Sequence, residues 1–146
     1  MTKHRNDEYT REIDRFWREA DAIYHEVAVR LGLSDSSFDI LYAISRLGEG
    51  CTQKDISNEV LLSKQTLNSS IHKLANRGLL ELHVSGRNAH IHLTDEGRRL
   101  VKTKIDPVFE AEGQALDTVG TENMRELLRI LKLYQEALRD SLLAVK

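Results

Sequence analysis

The feature that most constrains this chain is a change of period at Gly78. From Ser63 to Arg77 the apolar residues Leu67, Ile71 and Leu74 sit at i, i+4 and i+7, the spacing of one helix face. After Gly78-Leu79 they alternate. Leu80, Leu82 and Val84 fall on one side, with Glu81 and His83 on the other, and Ala89, Ile91 and Leu93 then alternate with His90 and His92. Between the alternating runs stands Ser85-Gly86-Arg87-Asn88, a turn. The pattern predicts a helix capped by Ser63 and closed at Gly78, then a β-hairpin with an apolar underside and a basic tip. A four-residue turn at 85–88 pairs Val84 with Ala89 and His83 with His90.

Helical spacing governs the rest. Tyr9, Ile13, Phe16, Trp17, Ala20, Ile23, Tyr24, Val27 and Leu31 form one stripe of a long first helix that closes near Gly32. Ser34, Asp35 and Ser36 supply capping oxygens before Phe38, Ile40, Leu41, Tyr42, Ile44 and Leu47, so a second helix fits 36–47 and stops at Gly48-Glu49-Gly50. Thr52, with Asp55 three residues on as a variant of the capping box, opens a short third helix carrying Ile56 and Val60. Thr94, Asp95 and Glu96 cap a fifth helix through Leu100, Val101, Ile105, Val108, Phe109 and Leu116, which Pro107 should kink. Thr121 is expected to cap a sixth, with Met124, Leu127, Leu128, Leu131, Tyr134, Leu138 and Leu142 on one stripe, widened by Ile130, Leu133, Ala137 and Leu143. A helix apolar over so wide an arc is expected to be buried between subunits.

Charge is segregated along the chain. The net charge is −2, but residues 63–93 hold Lys64, Lys73, Arg77 and Arg87 against Glu81 alone, so this stretch is +3 in a chain otherwise −5. The second face of the Ser63–Arg77 helix carries Gln65, Asn68, Ser69, His72 and Asn76, where a merely solvated helix would more often show Glu/Lys pairs. Short amides and hydroxyls are what base edges pair with. Two short helices, the second with such a face, followed at once by a basic-tipped hairpin, read as a winged helix-turn-helix. The expected class is mainly α with a small β-hairpin wing: one domain over 1–146, with the winged helix-turn-helix at 35–99 and helical dimerisation parts at 1–33 and 100–146. The candidate DNA contacts are Ser63, Gln65, Thr66, Asn68, Ser69 and His72 along the helix, Lys64, Lys73 and Arg77 to flanking phosphates, Arg87 at the wing tip, and Thr52 and Gln53 at the start of the supporting helix.

Other classes find little support. No nucleophile–base pair, metal-ligand motif or glycine-rich phosphate loop is visible, so no catalytic residue, metal or cofactor is expected. No apolar run approaches the roughly 18 to 20 residues of a membrane span, and Met1–Glu8 lacks a signal-peptide core, so the chain is expected to be soluble and cytoplasmic. Cys51 is the single cysteine. It stands before the Thr52 cap, where a helix N-terminus could lower its pKa for oxidant sensing, although a structural thiol is the simpler reading. Glu81, His83, His90 and His92 share one face of the hairpin, readable as a solvated face, as a metal cluster, or as imidazoles that add charge to the wing on protonation.

The chain resembles the MarR family of bacterial transcriptional regulators over essentially its whole length. The resemblance rests on Gly48-Glu49-Gly50-Cys51-Thr52-Gln53-Lys54-Asp55-Ile56-Ser57, on Ser63-Lys64-Gln65-Thr66-Leu67-Asn68, on Leu74-Ala75-Asn76-Arg77-Gly78-Leu79-Leu80, and on Leu93-Thr94-Asp95-Glu96-Gly97. It implies a homodimer built through the first, fifth and sixth helices, one winged helix per subunit, and release of DNA when a small ligand or oxidant acts. It also places an effector pocket between the dimer helices and the winged helix, where Trp17, Tyr24, Phe38 and Tyr42 are candidate lining residues. The family's wing usually reads Asp-x-Arg-Asp-x-Arg, whereas this chain has Ser85-Gly86-Arg87-Asn88-Ala89-His90 and keeps only the first arginine. The expected function is a ligand-responsive, homodimeric repressor of a pseudo-palindromic double-stranded DNA operator, with half-sites about 10 to 10.5 base pairs apart. The rival is a winged helix that binds protein and no specific DNA.

Overall fold

The computed structural model describes residues 7–145, so the signal-free start read at residues 1–6 lies outside the described residues. The order is α1 (Asp7–Arg30), α2 (Asp35–Leu47), β1 (Cys51–Thr52), α3 (Gln53–Glu59), α4 (Lys64–Asn76), β2 (Leu80–Ser85), β3 (Asn88–Leu93), α5 (Asp95–Leu100), a π turn (Val101–Ile105), α6 (Asp106–Val119) and α7 (Thr121–Leu142). The chain is mainly helical with a small antiparallel sheet, in the strand order β1-β3-β2. The described residues divide into two compact units, one ending at Asp106 and the other starting at Pro107.

In the first unit, Ile40, Leu41 and Ile44 of α2, Ile56 of α3, Leu67, Ile71 and Leu74 of α4, Ile91 of β3 and Ile105 are each at most 1% exposed. The three apolar residues that define α4 in sequence thus lie at the centre of the core. Local chemistry sets the helix starts. Ser34 accepts the Ser37 N–H at 3.2 Å, and Ser63 accepts the Thr66 N–H at 3.1 Å. Thr52 and Asp55 form a full capping box, with the Thr52 N–H on the Asp55 carboxylate at 2.8 Å and the Asp55 N–H on the Thr52 hydroxyl at 3.2 Å.

α4 ends in a left-handed turn at Gly78 (φ +75°), where the Leu79 N–H returns to the Leu74 carbonyl at 3.0 Å. Thr94 stitches the hairpin's exit to this turn, donating its hydroxyl to the Gly78 carbonyl at 2.6 Å and its N–H to that of Leu79 at 3.1 Å. The approach is so close that a Cβ on Gly97 would stand 2.1 Å from the Leu79 oxygen. The hairpin register is the expected one, with Val84 opposite Ala89 and His83 opposite His90.

Four details differ from expectation. Cys51–Thr52 adds a third strand, paired through Cys51 with Ile91 and through Thr52 with His90, because the chain ahead of the capping box runs alongside β3. The apolar underside of the hairpin tapers, since Val84 is 78% exposed and lies beyond the reach of the core. The irregularity expected at Pro107 takes the form of the π turn, in which the Asp106 N–H bonds the Val101 carbonyl just before the proline, which has no N–H to offer. Thr121 is the first residue of α7 and not its cap; the helix follows Gly120 with no side-chain cap.

The flanking helices contrast with this core. α1 buries only Ala28, leaving Tyr9, Phe16, Trp17, Ile23, Tyr24 and Val29 exposed. In the second unit, neither α6 nor α7 has a buried residue. Among the described residues, no helix is long and apolar enough to cross a membrane.

Candidate nucleic-acid interface

α4 presents one face to the core and the other to solvent. Ser70 joins Leu67, Ile71 and Leu74 inside and donates to the Ser36 hydroxyl at 2.8 Å, tying α4 to α2. Lys64, Gln65, Thr66, Asn68, Ser69, His72, Lys73, Asn76 and Arg77 are all exposed. Their freedom differs. The Ser63 hydroxyl caps the helix and donates to Thr66 Oγ1 at 2.9 Å, and the Ser69 hydroxyl turns back to the Thr66 carbonyl at 3.1 Å. The polar groups of Gln65, Asn68 and His72, spaced at i, i+3 and i+7, make no such internal bond among the described residues. The same sorting applies at α3, where the Thr52 hydroxyl and N–H are both held by Asp55.

The wing brings a cation over this surface. Gly86 (φ +63°) is the first residue of a two-residue loop whose second is Arg87. A groove of about 780 Å³ runs between α3, α4 and the wing. Thr52, Gln53, Lys64, Asn68 and Arg87 line it, so five residues singled out in sequence from three separate segments meet there. Ser63, Gln65, Thr66, Ser69, His72, Lys73 and Arg77 lie outside it, on the rest of α4 and its ends. Lys54, Ser57 and Asn88 also line the groove and were missed. Lys54 was within reach of sequence reasoning, since it follows Gln53 at the same helix start. Lys54, Lys64 and Arg87 give the groove three cations; Lys54 acts electrostatically on the neighbouring Asp55, while Lys64 and Arg87 have no partner among the described residues.

The outer face of the wing is more tied down than its sequence suggests. His83 donates through Nε2 to Glu81 at 3.2 Å and stacks on His92 with ring centroids 4.5 Å apart. His90 donates through Nδ1 to the Gly50 carbonyl at 2.8 Å. No group of three or more His, Cys, Asp or Glu side chains among the described residues is arranged to hold a metal. Cys51 is buried against Ile91, and burial, then the Asp55 carboxylate, push its thiol up in pKa, opposite to the expected effect of the helix N-terminus.

A second concavity of about 290 Å³ lies between α1 and α2, lined by Asp21, Tyr24, His25, Asp35, Phe38 and Asp39. Of the four aromatics expected around an effector, Tyr24 and Phe38 line it and Tyr42 packs behind Phe38 with ring centroids 5.8 Å apart. Trp17 instead meets Phe16 edge-on at 5.2 Å. The acidic lining was not foreseen. His25 donates to both Asp35 oxygens at 2.9 Å, while burial, then the carboxylates of Asp35 and Asp21, raise the pKa of Asp39.

Residues 31–89 match the pattern of the MarR family. The HTH-type transcriptional regulator PecS of Dickeya dadantii is 28% identical over 116 residues, covering 76% of this chain and 70% of that protein. The fold is similar to that of a MarR family regulator from Neisseria meningitidis, with TM-score 0.76 at 21% identity over 90% of this chain and 94% of that one. It is also similar to Bordetella bronchiseptica BpsR, whose DNA binding is regulated by 6-hydroxynicotinic acid, with TM-score 0.64 at 24% identity over 92% and 97% of the two chains.

Proposed function

We propose that the chain is a transcription regulator of the MarR family, whose pattern its residues 31–89 match, a DNA-binding protein and not an enzyme, and that it is a homodimeric repressor of a pseudo-palindromic operator. The observation that carries this reading is the groove in which Lys54, Lys64 and Arg87 line one surface with Asn68. Gln65, Asn68 and His72 read base edges in the major groove, Lys54, Lys64, Lys73 and Arg77 hold flanking phosphates, and Arg87 reaches the minor groove or its backbone. Dimerisation is supported by the apolar residues that α1 and α7 leave in solvent, each worth about 1.5–3 kcal/mol when covered. The winged helix-turn-helix at 35–99 is the reading part, and 1–33 with 100–146 the dimerising part.

The test is selection of a duplex from a randomised pool by the wild-type protein, then titration of that duplex and a scrambled one at two salt concentrations. Asn68→Ala is expected to lose discrimination between the two duplexes. Arg87→Ala should weaken both and reduce the salt slope by about one. Weak binding that ignores sequence counts against the reading and favours a winged helix that docks on protein.

The cleft between α1 and α2 is the proposed effector site, with Tyr24 and Phe38 as its aromatic walls. BpsR responds to an organic acid. Three aspartates here favour a ligand with positive charge, held by the carboxylates and by the ring faces. Cationic aromatic amines should raise the melting temperature and weaken DNA binding; an equal response to benzoate-type anions would contradict this.

A further inference from the structure

The polar contacts that fix the wing lie at its base. Glu49, just ahead of β1, accepts two hydrogen bonds from Arg98 of α5, from Nε to Oε1 at 3.0 Å and from Nη2 to Oε2 at 3.1 Å. It also accepts the backbone N–H of Leu93, the last residue of β3, at 3.2 Å. Arg98 is braced in turn by Asp95, Nη1 to Oδ1 at 2.9 Å. Hydrogen bonding by Arg98 holds the Glu49 carboxyl below the usual carboxylate range. Next along the chain, the Gly50 N–H bonds the Ile91 carbonyl at 2.8 Å and Thr52 pairs with His90. Residues 49–52 therefore follow β3 step by step from Leu93 back to His90.

This strip governs both walls of the groove. At one end it becomes Thr52, the cap of α3, which sets where Gln53 and Lys54 stand. At the other, β3 runs back from the strip to Asn88 and Arg87, and Arg87 has no partner among the described residues. With nothing at the tip to fix it, the wing's angle is set by its base.

We propose that Glu49, through Arg98, is a positioning residue for DNA binding that sets the wing over the recognition helix so that Arg87 meets the duplex. The proposal rests on the DNA-binding reading above. The Glu49 and Arg98 side chains are 36% and 50% exposed, and an ion pair so open to water adds little to global stability. Its loss is felt where the wing hangs from it.

Glu49→Gln keeps the size and one acceptor and removes the charge. Backbone amide exchange is measured across the protein, and affinity for a mixed-sequence duplex is measured for wild type, E49Q, R87A and the double variant at one salt concentration. Exchange should quicken across 81–92 and stay unchanged in α2 and α4. Arg87→Ala should weaken wild-type binding about tenfold, as loss of a charge-assisted contact does, but less than about twofold in the E49Q background. Unchanged exchange in the wing overturns the proposal, and so does an equal Arg87→Ala loss in both backgrounds. A wild-type protein with no salt-dependent duplex binding sinks the DNA reading instead; Glu49 is then only a fold contact, whatever the exchange shows.

Discussion

Helices α4 and α7 both carry apolar residues at helical spacing, and they end in opposite environments. Leu67, Ile71 and Leu74 of α4 are at most 1% exposed, whereas Leu128, Ile130 and Leu133 of α7 stand 47–62% exposed. α4 finds its cover within the chain, against α2 and β2. α7 has no buried residue. The difference teaches that the same stripe can serve two kinds of stability: one fixed inside the monomer, the other available only when a second surface arrives and therefore dependent on concentration.

The largest expected effect breaks the first kind. Ile40→Ala opens a cavity in a side-chain cluster with no solvent access and should cost about 2–5 kcal/mol in chemical denaturation, at any protein concentration. Leu128→Ala should leave a diluted monomer's stability within about 0.5 kcal/mol, the range of surface changes. Its cost, about 1.5–3 kcal/mol per covered site, should show in the dissociation constant of the proposed dimer by sedimentation. If Leu128→Ala instead destabilises the monomer as Ile40→Ala does, the contrast between the helices fails.

A smaller effect sharpens the comparison within the exposed face of α4 itself. Asn68→Ala should lose about 1–3 kcal/mol of discrimination between the selected duplex and one altered at the contacted base pair, read by competition titration. Ser69→Ala should change discrimination by less than about 0.5 kcal/mol, because its hydroxyl is already given to the Thr66 carbonyl. Equal losses for the two would mean that the hydroxyl leaves its helix bond when DNA binds.

Sequence alone exposed the parts whose causes are local. Period, caps and turn residues gave α4 between Ser63 and Gly78, and the hairpin register followed from Ser85-Gly86-Arg87-Asn88, because each depends on neighbours a few residues away. What stayed hidden depends on partners far along the chain. β1 exists only because residues 51–52 meet 90–91, and Glu49 finds Arg98 across a separation of 49 residues. The Thr121 cap failed for a different reason, since Gly120 supplies the break and the helix starts without a side-chain cap. The effector residues were sought by aromatic character, so the carboxylates beside Tyr24 and Phe38 went unnoticed, although Asp21, Asp35 and Asp39 lie within four residues of those rings.

The smallest effect belongs to the electrostatic version of the same contrast, a basic groove at the wing against an acidic cleft between α1 and α2. Asp39 is half-buried beside Asp35 and Asp21, so burial first and like charge second make its ionised form unfavourable in the folded protein. In the unfolded chain the group titrates near about 3.9. Its folded pKa is raised, so the folded state holds the proton to higher pH. Below the unfolded value the neutral carboxyl makes its full contribution to stability, and that contribution is lost as pH rises through the folded value. Asp39→Asn removes the titrating group and keeps the shape. Its melting temperature should match the wild type below about pH 3.9 and exceed it at neutral pH, the gap opening across the window between the two pKa values. A variant that instead falls below the wild type as pH rises would mean that Asp39 is stabilised as an anion in the fold, and the contrast between a basic groove and a strained acidic cleft would fail.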